Sequence, residues 1–285
     1  MNRREAIQGL GAAALVGATT STAEGVTSGV SRGRLRQSVA RWCYSSMPIE
    51  ELCAAVAGLG MPAIDLLEID EWPVARDHGL AVSVGMPNAG TIRRGINDPR
   101  NHEAIIDGFQ KNIPKAAAAE IPSVITFFGN QVGGMRRADA LRNSIACLRE
   151  CALIAEDHGV TIVIEMLNSK VDHIGYIGDT TAWGVEIVQA VGSERVKLLY
   201  DVYHMQIMEG DVIRTIRENH QFFAHYHTGG VPGRAEIDDT QELFYPAIVR
   251  EILATGFEGY LAHEFIPRSD DPMGSLAAAV RLCDV

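Results

Sequence analysis

Four short apolar runs in the second half of the chain each end in a side chain that is expensive to bury. They read Ile162-Val163-Ile164-Glu165, Leu198-Leu199-Tyr200-Asp201, Ala224-His225-Tyr226-His227 and Tyr260-Leu261-Ala262-His263-Glu264. A carboxylate at the tip of an apolar run needs a partner, because burying it uncompensated is costly. Three carboxylates brought together would also repel one another and raise their pKa values. A divalent cation shared by Glu165, Asp201, His227 and Glu264 resolves that conflict. The mixed oxygen and nitrogen set suits Mn2+, Mg2+ or Co2+ better than a thiolate-seeking metal, and no cysteine stands at the end of these runs. Taken singly, each residue has a plainer role. Glu165 would be a structural ion pair, Asp201 a helix cap, His227 a core or loop histidine, and Glu264 a surface partner of Arg268. Their recurrence at the same place in four successive runs is what points to a common ion.

Glu165 and Glu264 would approach such an ion from different directions. A pair so placed can take a proton from one carbon of a chelated substrate and return it to the neighbouring carbon or to the opposite face. The ion would hold two substrate oxygens and stabilise the enediolate charge as a Lewis acid. Aldose–ketose isomerases and ketose epimerases both need that chemistry.

Such convergence demands a scaffold that brings four strand ends to one place. Beyond residue 37, strand-like and helix-like segments alternate eight times. Strands are expected at Ser38–Tyr44, Ala63–Glu68, Ala81–Met86, Ser123–Phe128, Thr161–Leu167, Val196–Asp201, Phe222–His227 and Gly259–Glu264. Most are short apolar runs, as suits parallel strands covered on both faces. Pro48–Leu59 keeps Ile49, Leu52, Cys53, Val56 and Leu59 near a 3.6-residue period, and Asn101–Ala119 enters after Asp98-Pro99. Arg136–His158, Thr180–Val191, Asp211–Asn219, Glu242–Thr255 and Gly274–Leu282 supply the other helices. Asp70–Asp77 is the weakest, since Pro73 leaves room for only a short one.

Eight such units predict an α/β fold, a (β/α)8 TIM barrel over residues 37–285, with its site at the C-terminal ends of the strands. An open doubly wound sheet is the competitor, but Tyr44-Ser45-Ser46-Met47 is no phosphate loop. Gly133-Gly134 and Gly229-Gly230 fit no nucleotide-binding pattern either.

The same segments resemble the hydroxypyruvate isomerase family, within the xylose isomerase-like barrels of sugar isomerases and epimerases. The likeness covers most of the chain from about residue 37. It is sharpest at Ile164-Glu165-Met166-Leu167-Asn168, Tyr200-Asp201-Val202-Tyr203-His204-Met205-Gln206, Pro232-Gly233-Arg234 and His263-Glu264-Phe265. The resemblance implies one divalent ion on Glu165, Asp201, His227 and Glu264, with the two glutamates as the acid/base pair. Hydroxypyruvate isomerases can carry Gln where this chain has His227, whereas related ketose epimerases carry His. Isomerisation of hydroxypyruvate and reaction of a larger sugar therefore both stay open. His204 and Arg234 resemble substrate-contacting positions, and Arg234 is suited to a bidentate grip on a carboxylate. Their plainer roles are a helix start and a loop charge. Glu68, ending the second strand, either contacts substrate or bonds to the barrel rim. Asn88, Asn97 and His102 lie in a long loop of the kind that covers barrel sites. Trp42 and Phe128 would form an apolar wall or pack in the core.

A net charge of −11 over 285 residues disfavours a nucleic-acid partner, since gripping phosphates takes clustered Lys and Arg. Only Arg32, Arg34 and Arg36 cluster beyond the extreme N-terminus. A DNA-repair endonuclease on the same barrel would carry a trinuclear zinc site with more histidines. A non-catalytic sugar-binding barrel would not need both glutamates. Cys43, Cys53, Cys147, Cys151 and Cys283 form no C-x-x-C pair and read as free thiols.

Arg3-Arg4, the apolar stretch Ala6–Ala18 and Ser21-Thr22-Ala23 resemble a twin-arginine signal over residues 1–24, followed by a linker over 25–36. The expectation is a periplasmic enzyme, or a cytoplasmic one if the segment is an Ala-rich helix. No run is long and apolar enough for a membrane span, and a homo-oligomer stays open.

Overall fold

The computed structural model describes residues 34–285; the signal-like segment and the linker up to residue 33 lie outside the described residues. The strands are β1 (Arg36–Val39), β2 (Ala63–Ile64), β3 (Ala81–Val82), β4 (Ser123–Phe127), β5 (Thr161–Glu165), β6 (Val196–Asp201), β7 (Phe223–Thr228) and β8 (Tyr260–His263). Six of them pair in the order β1-β8-β7-β6-β5-β4, and β2 pairs with β3. Single parallel bridges complete the ring: Ala40 to Asp65 joins β1 to β2, and Gly85 to Val124 joins β3 to β4. The result is the (β/α)8 barrel expected from the eightfold alternation.

Helices α1 (Ile49–Gly58), α2 (Trp72–Asp77), α3 (His102–Ala118), α4 (Arg137–His158), α5 (Thr181–Val191), α6 (Val202–Met208), α7 (Val212–Asn219), α8 (Tyr245–Ala254) and α9 (Pro272–Cys283) connect the strands. Helix α4 buries Ala140, Ser144, Cys147, Leu148, Cys151, Ala152 and Ala155, a stripe at three- and four-residue spacing that faces the sheet. It stops at Gly159, whose φ of 69° provides the left-handed C-cap. All five residues of β4 are buried, as a strand between barrel interior and helices must be. Cys43 is half-buried, the other four cysteines are buried, and all five are free.

Several boundaries differ from expectation for local reasons. The first strand begins at Arg36 and ends at Val39, because Arg41–Tyr44 winds into a 3-10 helix. Leu35 is already buried, so the chain joins the barrel before the expected end of the linker. The second strand is cut short where Leu66 takes a φ of 55°, and pairing returns only as the bridge from Leu67 to Gly85. Helix α6 has no segment of its own among the expected helices, although the plainer roles of Asp201 as a cap and His204 as a helix start are those it uses. It starts directly after β6 and spans seven residues, too few for a periodic signal.

The loop between β3 and α3, expected to cover the site, is stitched to the end of β4. Ile96 N donates to Phe127 O (3.1 Å) and Asn97 N to Phe128 O (3.0 Å). Gly95 permits this approach, since a Cβ there would overlap Gly129 N and Phe127 O. Gly95→Ala is therefore expected to cost about 3 kcal/mol, the upper part of the range for overpacking. The urea midpoint should fall with an unchanged slope; an unmoved midpoint would show that the loop has room to shift.

Candidate metal centre

The parallel ladders deliver the four chemically costly residues to one height. Phe127 pairs with Glu165, Glu165 with Leu199, Asp201 with His227, and Thr228 with His263, immediately before Glu264. Glu165, Asp201, His227 and Glu264 are all buried, and one donor atom from each lies within 4.8 Å of the others. The structure thus brings together the four residues singled out in the sequence.

Local bonds aim each group. The Tyr176 hydroxyl donates to Glu165 O (2.8 Å) and accepts from Phe128 N (2.8 Å), tying the ends of β4 and β5 together. Asp201 serves two purposes: Oδ1 accepts from Tyr203 N (2.8 Å) and His204 N (3.4 Å), capping α6, while Oδ2 faces the cluster. The His227 Nε2 lies 2.9 Å from Asp65 Oδ2. Its Nδ1 faces Glu264 Oε2 at 2.5 Å and Glu165 Oε1 at 3.4 Å. Neither contact has hydrogen-bond geometry, and Nδ1 and Glu165 Oε1 are buried polar atoms without hydrogen-bond partners. Such orphans are rare in folded proteins. Two of them aimed at one point, beside two further carboxylates, fit a divalent cation with three oxygen donors and one nitrogen.

The charges in this cluster are unequal. Burial pushes the Asp201 carboxyl up to about 7, against the pull of Arg234. Burial and then Glu264 raise Glu165 as well. Glu264 goes the other way: burial pushes it up, but Arg234 and His227 together outweigh that and hold it well below the usual carboxylate range. The mutual raising expected from sequence therefore fails for one of the three acids, which touches both cationic neighbours. Burial opposes charge on His227, yet Glu264, Asp65 and Glu165 lift it well above the ordinary histidine value.

Arg234 donates from Nη2 to Asp201 Oδ2 (2.9 Å) and to Glu264 Oε2, and from Nε to Glu264 O (3.1 Å). Its guanidinium lies 5.2 Å from the Trp42 ring and 5.1 Å from the Tyr203 ring. His204 is fully buried, with Nε2 2.8 Å from Arg234 Nη1 and Nδ1 accepting from the Asn168 amide (2.7 Å). Both residues therefore stand beside the cluster, and His204 also lies in the first turn of α6. Glu68 is exposed and outside the cluster, but lines the same cavity of about 380 Å3 as Glu165, Glu264 and Arg234. Burial and then Glu71 raise its carboxyl.

The two readings of Trp42 and Phe128, wall or core, divide between them: Phe128 packs in the core. Trp42 lines the cavity and donates from Nε1 to Glu264 Oε1 (2.5 Å), but the second aromatic on the wall is Phe127, not Phe128. Side chains alternate along a strand, and Phe128 instead points to Gly178, where a Cβ would collide with its ring. Asn97 and His102 bond to loop carbonyls of Asn130 and Ile96, and Asn88 lines the neighbouring cavity. Asp65 is the residue that sequence reasoning passed over. A carboxylate inside the run Ala63-Ile64-Asp65-Leu66-Leu67 was the available signal.

The profile of the xylose isomerase-like TIM barrel family matches residues 69–283. The chain belongs to that family. Among xylose isomerase-like relatives, a putative hydroxypyruvate isomerase of Homo sapiens is 25% identical over 241 residues, covering 78% of this chain and 87% of its own. A D-psicose 3-epimerase of Ruminiclostridium cellulolyticum is 32% identical over 231 residues, covering 77% and 75%. A solved structure, the AP endonuclease, family 2, from Brucella melitensis, matches with a TM-score of 0.75 at 24% identity. It covers 86% of this chain and 98% of the other, and shows a shared fold.

Proposed function

We propose that this isomerase moves a proton between adjacent carbons of a small hydroxy-carbonyl compound, interconverting hydroxypyruvate and 2-hydroxy-3-oxopropanoate or a close analogue. The observation that carries the reading is the buried cluster of Glu165, Asp201, His227 and Glu264 with its two orphaned donor atoms. These four residues would hold one divalent ion, Mn2+, Mg2+ or Co2+. The ion, when bound, supplies Lewis-acid stabilisation of negative charge on the substrate oxygens.

Glu165 ends β5 and Glu264 follows β8, with β6 and β7 between them, so a substrate lying between them offers a different side to each. That suits one as the proton acceptor and the other as the donor. The Nε and Nη2 hydrogens of Arg234 go to Glu264 and Asp201, so the bidentate grip expected from sequence is not free in this arrangement. Only Nη1, beside His204, is left to meet a substrate carboxylate. Glu68 stands on the wall. His173 adds one polar group, and the remaining wall is apolar, with Trp42, Leu66, Met86, Ile92, Phe127 and Leu167, so few hydroxyls beyond the reacting ones find a partner. A six-carbon ketose would press extra hydroxyls against carbon there, and an unpaired buried hydroxyl is costly. A three- or four-carbon 2-oxo acid avoids that cost.

Epimerisation of a free ketose is the second reading, favoured by the imidazole at His227 and the kinship with a D-psicose 3-epimerase. A panel of hydroxypyruvate against five- and six-carbon ketoses, with Mn2+ present, separates the two. The expected result is a kcat/KM for hydroxypyruvate at least about tenfold above any ketose, the discrimination that one poorly accommodated group provides. The reverse order would make the chain a ketose epimerase.

A further inference from the structure

We infer that Asp65 is a positioning residue that keeps the proton of His227 on Nε2, so that Nδ1 presents a lone pair to the metal centre. The inference rests on the metal-centre reading and adds a residue that no part of that reading contains.

Asp65 is fully buried at the end of β2, far in sequence from His227. Its Oδ2 lies 2.9 Å from His227 Nε2. Its Oδ1 accepts from Ser83 Oγ and lies 3.2 Å from His225 Nε2. Ser38 Oγ lies 3.0 Å from Ser83 Oγ and donates to it, since the one Ser83 hydroxyl hydrogen goes to Asp65. One carboxylate is thus held by groups from β7 and from just beyond β3, the latter braced by Ser38 of β1. An ionised carboxylate only accepts, so the nitrogen opposite it must carry hydrogen. Once the ring carries a single proton, that proton stays on Nε2, and Nδ1 is left as the ligand atom.

The opposite face of the ring makes this choice matter. Nδ1 looks at Glu264 and Glu165, two acceptors that would otherwise draw the proton to their own side and block the lone pair. Asp65 competes with them from behind. A carboxylate that orients a ligating histidine through its second nitrogen commonly contributes about 10–100-fold in metal affinity.

The test is Mn2+ binding by the full chain, measured by competition with a fluorescent chelator. Asp65→Asn is the main variant, because its amide can donate to Nε2 and so favours the wrong tautomer at nearly constant volume. Its Mn2+ dissociation constant is expected to rise about 10–100-fold, with an unchanged circular dichroism spectrum. Ser83→Ala, which loosens Asp65 without removing it, should give a smaller rise in the same direction and serves if Asp65→Asn does not fold.

Equal Mn2+ affinity in wild type and in the folded variants would overturn the role of Asp65. A wild type that binds no Mn2+ would instead overturn the metal centre itself. Asp65, His225 and His227 also bring donor atoms within 4.8 Å of one another. Two ions per wild-type chain would therefore overturn the inference too, since Nε2 would then be a ligand and not a donor.

Discussion

Glu165→Gln and Glu264→Gln should each abolish turnover and leave the barrel folded. Glutamine keeps the length and volume of glutamate but can neither take nor return a proton. Loss of positioned acid–base catalysis alone costs about 100- to 10,000-fold, and each variant also removes a negative donor from the cluster. Stability should not follow activity. Burial and Glu264 already raise Glu165, so Glu165→Gln relieves repulsion among the acids. Glu264→Gln instead gives up the attraction of Arg234 and His227 that holds that carboxyl low, and is expected to lower the melt without unfolding the barrel. In Glu264→Gln the amide oxygen can still accept from Trp42 Nε1. The check is kcat beside a thermal melt, with solvent deuterium entry into the reacting carbon as a second readout. Wild-type rates in either variant would remove that glutamate from the acid/base pair.

Chelation should have an effect of comparable size, and a reversible one. Treatment with EDTA is expected to bring activity to background, with recovery on adding Mn2+ or Co2+. A ligand that binds only the folded chain adds about 2.7 kcal/mol when present at 100 times its dissociation constant. For a chain of this size each kcal/mol moves Tm by about 2–4 °C, so the melt should fall by about 5–10 °C on stripping. Activity and Tm both indifferent to EDTA would leave the two orphaned donors, His227 Nδ1 and Glu165 Oε1, needing another explanation.

Most of the site was legible because it stands on strand ends, and a strand end announces itself when an apolar run meets a charge. Val196–Asp201 was read to the residue, and the other ligand-bearing strands lie within two residues of expectation. What escaped reading depends on contacts distant in sequence. Nothing near Asp65 tells that its partners are His225 and His227, because only closure of the barrel brings β2 within reach of β7. The choice between Phe127 and Phe128 depends on pleat phase, which two adjacent identical side chains conceal. Helix α6 stayed unassigned because its seven residues are too few for a periodic signal, although Asp201 as a cap and His204 as a helix start both point to it. The dual use of Arg234 and Glu264 was equally unreadable, since their contact sets the sign of the Glu264 shift.

The stitching of residues 95–97 onto β4 determines how the reaction chamber can change size. Its ceiling is not a flap that lifts, because the segment is sewn into the barrel wall by its backbone. Ile92 sits on the turn closed by Thr91 N to Arg94 O (2.9 Å) and borders three adjoining hollows at once. Wider guests are then admitted by shortening Ile92 or Met86, which remodels the rooms behind them, whereas slackening residues 95–97 would spoil the masonry before it opened the door.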